Sequence, residues 1–259
     1  MNNLLSITWN VDPVAFSIGP VSVRWYGLLF AVGFLLAVYM LGRIFKAEKL
    51  PDDWADKTFL YIIVGVVIGA RLAHVFFYDW AYYKGHLSEI PMIWHGGLAS
   101  HGGVLGGVIA MVFLSKKVMK KPLLWLGDRV FAVAGITATC IRLGNLMNSE
   151  IYGHETTLPW GFKYLRDFPS LTEALLPACH PTQIYEALAY FSMFLVMMFL
   201  YWKKDFGKKY TGMLFGIGFI WVFVFRFFIE FIKNDQSDFE ADMILNMGQL
   251  LSIPFIIYG

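Results

Sequence analysis

The sequence predicts an all-α membrane protein, a polytopic bundle of about seven transmembrane helices, and three observations carry that prediction. Hydrophobic residues make up 58% of the 259, and mean hydropathy is +0.57. Charged residues are 15%, against about 25% in soluble domains. The apolar residues fall in long runs rather than in alternating or amphipathic patterns. Residues 1–259 are therefore expected to form a single integral membrane domain. Residues 1–17 have no basic start and are interrupted by Asp12 and Pro13, so they do not read as a signal peptide. Cys140 and Cys179 show no CxxC or metal-site spacing, and no internal repeat is found.

The first expected span, Ile18–Phe45, carries Trp25 and Tyr26 near its start, where aromatic rings suit the headgroup layer. The second, Thr58–Tyr78, leaves the membrane through Tyr78, Trp80, Tyr82 and Tyr83. The third, Gly97–Val118, opens within HGGLASHGGVLGG, whose glycines suggest close backbone approach. The fourth, Leu124–Met147, ends in IRLGNLMNSEIYG. The stretch that follows, 148–180, is the longest without a span. With Trp160, Tyr164, Phe168 and several prolines it fits a small outer head or lid. The fifth span, Pro181–Trp202, has proline at its first position, which helix starts favour. The sixth is Thr211–Ile232. The seventh, Met243–Ile257, is short and has no basic anchor behind it, as expected of a helix completed by further residues.

Lys and Arg between these spans alternate in number. The odd-numbered connectors hold thirteen: Arg43, Lys46, Lys49 and Lys57; Lys116, Lys117, Lys120, Lys121 and Arg129; Lys203, Lys204, Lys208 and Lys209. The even-numbered ones hold four: Lys84, Lys163, Arg166 and Lys233. The positive-inside rule then puts the N-terminus outside and the C-terminus in the cytoplasm.

Arg24, Arg71, Arg142 and Arg226 remain, all placed by this span count inside the membrane. At about 2.5–3.5 kcal/mol each, four uncompensated arginines would cost roughly 10–14 kcal/mol. Anionic partners are therefore expected, from the protein or from a substrate. By the same topology Arg24 and Tyr26, Arg71, His101, Arg142 and Arg226 gather from five helices in the outer half. Arg142, Asn145 and Ser149 are expected to share one helical face. Asn side chains there can bridge the arginine to a phosphate or a glycerol hydroxyl, and Gly144 lets another backbone approach. A purely structural alternative pairs Arg142 with Glu150 or Glu230. Arg226, Glu230 and Lys233 are spaced for an intrahelical ion pair, in which Glu230 would also fix the guanidinium for a ligand. Glu186, one turn into the fifth span, suits either a partner for an arginine or a catalytic carboxylate. His95 and His101 have no third metal ligand at usable spacing, and His101 could serve as a base, since an imidazole titrates near about 6.5.

Eight segments resemble the prolipoprotein diacylglyceryl transferase family, over nearly the whole chain. They are DPVAFSIGP at Asp12, WYG at Trp25, GARLAHVFFY around Arg71, SHGG at Ser100, RLGNLMNSEIYG from Arg142, HPTQIYE from His180, RFFIEF from Arg226 and MGQLLSIP from Met247. Ile141 stands where the family usually has glycine, Leu146 where it has phenylalanine, His74 where tyrosine is common and Lys233 where arginine is usual.

The resemblance implies transfer of a diacylglyceryl group from phosphatidylglycerol to the lipobox cysteine of a prolipoprotein signal peptide, releasing glycerol phosphate. It implies catalytic roles for Arg142, Arg226, His101 and Tyr26. It also implies that Arg142, Asn145, Asn148, Glu150, Gly153, Arg226 and Glu230 bind phosphatidylglycerol. No metal, cofactor or nucleic acid is implied. The expected place is the bacterial cytoplasmic (inner) membrane, multi-pass, with the active site toward the outer face. An anion transporter would need polar residues through both halves of the membrane. An intramembrane protease using Ser100 and His101 lacks a nucleophile elbow.

Overall fold

The computed structural model describes residues 6–168, 171–234 and 245–259. Residues 169–170 of the expected head segment and the start of the seventh expected span, at Met243, lie outside them. Three short strands come first: β1 (Ile7–Trp9), β2 (Val14–Ile18) and β3 (Val21–Arg24). Then follow α1 (Trp25–Ala47), α2 (Trp54–Ala73), α3 (Trp80–Tyr83), α4 (Ser100–Phe113), α5 (Leu123–Met147), β4 (Phe162–Tyr164), α6 (Thr182–Lys204), α7 (Phe206–Lys209), α8 (Met213–Ile229) and α9 (Met247–Tyr258). A π-helical turn extends α2 over His74–Tyr78, and another extends α4 over Leu114–Met119.

Among the described residues, five helices are long and apolar enough to cross a membrane: Trp25–Ala47, Trp54–Tyr78, His101–Met119, Leu123–Met147 and Thr182–Lys204. At about 1.5 Å per residue their lengths match a hydrocarbon core of about 30 Å. Two further apolar helices are shorter, α8 with 17 residues and α9 with 12. The protein is thus a multi-pass, all-α membrane protein with short strands at its loops.

The first span starts later than expected. Val14–Ile18 and Val21–Arg24 pair as an antiparallel hairpin, with Ile18 opposite Val21 and Ser17 opposite Ser22. The turn falls at Gly19 and Pro20, and Gly19 has φ +58, a left-handed geometry suited to glycine. Arg24 therefore ends a strand and is exposed, outside any membrane helix.

Contacts divide the chain into two compact units, Met1–Ala37 with Asp128–Gly259, and Val38–Gly127. In the second unit, α2 packs on α4 through glycines. A Cβ added at Gly65 would lie 2.6 Å from the Gly106 oxygen, and one at Gly69 would lie 2.8 Å from the Gly106 Cα. Small residues four apart on both helices allow this backbone approach, which fulfils the expectation from the HGGLASHGGVLGG glycines.

Arg71, 4% exposed, corrects the expectation of an anionic partner. It donates to four backbone carbonyls, Ile90 at 2.7 Å, Glu89 at 2.8 Å, Gly96 at 2.8 Å and Gly97 at 3.3 Å. Its guanidinium also lies 4.9 Å from the Tyr83 ring centre. Carbonyl dipoles thus solvate this cation and fasten the loop before α4 to the end of α2.

In the first unit α5 is the common neighbour. A Cβ at Gly33 of α1 would lie 2.8 Å from Cys140 Cβ, and one at Gly144 would lie 2.9 Å from Tyr26 Cδ2. Thr139 donates to the Ala187 carbonyl of α6 at 3.3 Å. Asp128, wholly buried, accepts from the Gly212 and Phe215 backbone N–H groups at 2.7 and 2.9 Å, so a carboxylate meets the positive end of α8. That cap was not foreseen from sequence.

Candidate functional site

The loop that leaves α5 is built by backbone bonds and by side chains of α6. The helix ends at Met147, so Ser149 does not continue the face of Arg142 and Asn145; it adopts φ +57 beyond the helix end. Ile151 adopts φ +61. Left-handed geometry is rare for a β-branched residue, and such strain clusters at functional sites. Glu150 stands between these two residues. Its N–H donates to Asn145 O at 3.2 Å, and its own carbonyl accepts from Gln183 Nε2 at 2.7 Å. The Ile151 carbonyl accepts from Thr182 Oγ1 at 2.8 Å. Gln183, wholly buried, in turn accepts from the Tyr164 hydroxyl at 3.0 Å.

Strands of the loop region brace the same place. β1 runs parallel to β4, with Ile7 opposite Phe162 and Trp9 opposite Tyr164. Trp9 Nε1 donates to Leu146 O at 2.9 Å, satisfying one of the last carbonyls of α5. Leu146 packs with Phe162, Tyr164 and Cys179. Tyr152 donates to Asp167; burial first and that carboxylate second push its hydroxyl pKa well above the usual tyrosine value.

Charged groups from three elements form one chain of ion pairs. Arg142 Nε lies 2.5 Å from Glu186 Oε2. This is a close pair without hydrogen-bond alignment, because Glu186 Oε2 has no hydrogen-bond donor among the described residues. Glu186 Oε1 lies 3.7 Å from Lys233 Nζ, and Lys233 Nζ lies 3.9 Å from Glu230 Oε1. Glu230 Oε1 lies 3.5 Å from Arg226 Nη2. Arg142 also donates through Nη1 to Asn145 Oδ1 at 3.2 Å. Asn145 and Asn148 both donate to Glu150 Oε1, at 2.8 and 3.1 Å.

The Arg142 partner is therefore Glu186, not the Glu150 or Glu230 of the structural alternative. Glu186 and Lys233 are almost wholly buried, whereas the Arg142 side chain is 16% exposed and that of Arg226 is 40% exposed. The two arginines at the ends of the chain are its most exposed members.

α9 shapes the far end. Asn246 caps it and forms a capping box with Gln249, while Asn246 Nδ2 donates to Glu230 Oε2 at 3.2 Å. A Cβ at Gly248 would lie 2.7 Å from Glu230 Oε1, so glycine leaves room for the carboxylate.

Gly153 has a packing reason of its own. It bridges antiparallel to Lys233, and His154 N donates to Ile232 O at 2.9 Å. A Cβ there would overlap the Ile232 oxygen. A polar cleft of about 490 Å³ lies beside this bridge, lined by Asn148, Ser149, Glu150, Asp167, Lys233 and Asn234 among others. Asn148 Oδ1 and Ser149 Oγ are buried and have no hydrogen-bond partner among the described residues.

The structure thus brings together Arg142, Asn145, Asn148, Glu150, Gly153, Arg226 and Glu230 in one unit. Tyr26 joins that unit through its contact with Gly144. His101 belongs to the other unit, on the first turn of α4, and is exposed. Thr182, Gln183 and Lys233 were not among the expected ligand or catalytic residues; Glu186 was expected as an arginine's partner or a catalytic carboxylate, and it pairs with Arg142. Their signal was the segment HPTQIYE and the spacing of Arg226, Glu230 and Lys233.

The family model for prolipoprotein diacylglyceryl transferase matches residues 13–259. The chain belongs to the prolipoprotein diacylglyceryl transferase family. It is 46% identical over 260 residues to the phosphatidylglycerol–prolipoprotein diacylglyceryl transferase of Porphyromonas gingivalis, covering 98% of this chain and 92% of that one. It is 46% identical over 253 residues to that of Chloroherpeton thalassium, covering 98% and 91%. The relative from Tolumonas auensis is 42% identical over 251 residues, covering 97% and 94%. The segments RLGNLMNSEIYG, HPTQIYE and RFFIEF supply Arg142, Glu186, Arg226 and Glu230 of the ion-pair chain, and Lys233 follows two residues after the last of them.

Proposed function

We propose that this transferase moves the diacylglyceryl group of phosphatidylglycerol onto the lipobox cysteine of a prolipoprotein, the first step of lipoprotein maturation. The observation that supports it best is the pair of arginines, Arg142 and Arg226, that end one ion-pair chain as its most exposed members. The cysteine sulfur attacks the glyceryl carbon that bears the phosphate. The C–S bond forms, the C–O bond breaks, and the electron pair leaves on the phosphate ester oxygen as glycerol phosphate. Negative charge grows on those oxygens in the transition state, where fixed Arg142 and Arg226 stabilise it most.

Glu230 orients Arg226, and Asn145, Asn148 and Glu150 hold the glycerol headgroup. The free acceptors Asn148 Oδ1 and Ser149 Oγ suit its hydroxyls. Tyr26 serves as a headgroup ligand or proton relay. The thiol has an ordinary pKa near about 8.5 and must lose its proton; His101, an exposed imidazole, is the proposed base on its chemistry alone. The protein works in the bacterial cytoplasmic (inner) membrane, N-terminus outside and C-terminus inside, with the site toward the outer face, as the distribution of Lys and Arg supports.

The test incubates the protein with a lipobox peptide and labelled phosphatidylglycerol. The peptide should gain one diacylglyceryl mass and label, and glycerol phosphate should appear in equal amount. No mass gain with properly inserted protein would overturn the reading.

A further inference from the structure

We infer that Lys233 is a positioning residue that holds Arg142 and Arg226 as one anion-binding unit and keeps their own carboxylates from neutralising them. The inference rests on the reading that these arginines take the donor phosphate. Lys233 lies within 4 Å of two carboxylates, 3.7 Å from Glu186 Oε1 and 3.9 Å from Glu230 Oε1. Each of those carboxylates has an arginine as its other cationic partner. The five-member chain therefore has three cations and two carboxylates, and each carboxylate divides its attraction between Lys233 and a guanidinium. Among the described residues, Glu150 is joined to it through the amide of Asn145.

Without Lys233 the chain would become two separate arginine–carboxylate pairs. An entering phosphate would then compete with an undivided carboxylate at each guanidinium. The two arginines would also lose their connection between α5 and α8. With 2% of its surface exposed, Lys233 acts through Glu186 and Glu230. Its place is set by backbone: the bridge to Gly153 and the Ile232 carbonyl bonded to His154 N at 2.9 Å carry the chain across the loop after α5. The ammonium is thereby fixed by the same contact that needs glycine at 153.

Lys233→Arg, Lys233→Met and Glu186→Gln/Lys233→Met are compared with wild type in nanodiscs of defined phosphatidylglycerol content. Wild-type turnover tests the functional reading; the ratios of variants to wild type test this inference. Lys233→Met is expected to lower kcat/KM about 100-fold and to weaken inhibition by glycerol phosphate about tenfold. Lys233→Arg, which keeps the shared cation, should stay within about fivefold. In the double variant the cation and one carboxylate go together, so glycerol phosphate inhibition should return to within about threefold while kcat stays about 30-fold low. A residue with only a packing role would not separate inhibition from kcat. Lys233→Met within about threefold of wild type, or Lys233→Arg as damaged as Lys233→Met, would overturn the inference. If Lys233→Met does not fold, the double variant decides, and wild-type kcat in it would be contrary.

Discussion

Gln183 Nε2 donates to the Glu150 carbonyl oxygen over 2.7 Å, and this bond holds the peptide between two left-handed residues, Ser149 and Ile151. Thr182 grips the next carbonyl. A loop strained on both sides of Glu150 persists because α6 ties it down. Gln183→Leu leaves the Glu150 carbonyl and the Tyr164 hydroxyl without this partner, a loss of about 1–3 kcal/mol each. Transfer should fall about tenfold or more, with KM for phosphatidylglycerol rising, in a steady-state assay. Unchanged KM and kcat would mean the clamp is dispensable.

Gly153 is expected to act through packing. Gly153→Ala places a Cβ against the Ile232 oxygen, and overpacking of this kind costs about 1–3 kcal/mol. Thermal unfolding in detergent should shift down by roughly 2–12 °C, with activity falling alongside. An unchanged melting temperature with raised KM would instead make Gly153 a ligand contact.

These two residues show what was legible in the chain and what was not. Apolar runs locate the helices, because length and hydropathy are local properties. The motif around Arg142 marks the candidate site, and Gly144 forecasts a close backbone approach, which Tyr26 makes. The partner of Arg142 was left open among Glu150, Glu186 and Glu230, because the choice depends on the rotation of α5 against α6, which is long-range. Lys233 was counted as a basic residue of a connector, yet its bridge to Gly153 leaves it 2% exposed beside Glu186 and Glu230. Arg24 was misplaced because the hydropathy run began at Ile18 and outweighed the Gly19–Pro20 turn. Arg71 was assigned an anionic partner on energetic grounds, although backbone carbonyls solvate a guanidinium as well.

Arg71→Met removes the donors to four carbonyl oxygens. A loss of about 3 kcal/mol or more is expected, read as a fall of roughly 6–12 °C in melting temperature. Protease sensitivity should appear first in the loop 84–97. Normal stability with lost transfer would place Arg71 in the chemistry instead.

Neither cysteine of the chain is expected to take part in transfer. Both are free and buried. Burial, with the charges of Glu155 and Asp167, pushes the Cys179 thiol up to about 11. At pH 8 about one Cys179 in a thousand is then a thiolate, and alkylation of the folded protein should be slow. The sign for stability follows: this thiol's contribution is complete below the unfolded value of about 8.5 and is lost as pH rises toward about 11. Cys140→Ala/Cys179→Ala should keep its transfer rate within about threefold of wild type, measured with the lipobox peptide. Loss of transfer in a stable double variant would implicate a chain thiol.

The central claim is that Arg142 stabilises charge on the departing phosphate, and single-turnover transfer by Arg142→Ala tests it most directly. With saturating phosphatidylglycerol and a lipobox peptide, the variant should still insert and fold, with Lys233 left as the cation beside Glu186, while the rate constant for diacylglyceryl transfer falls about 1000-fold. A folded variant that transfers within about tenfold of wild type would contradict the account and leave Arg142 a structural partner of Glu186.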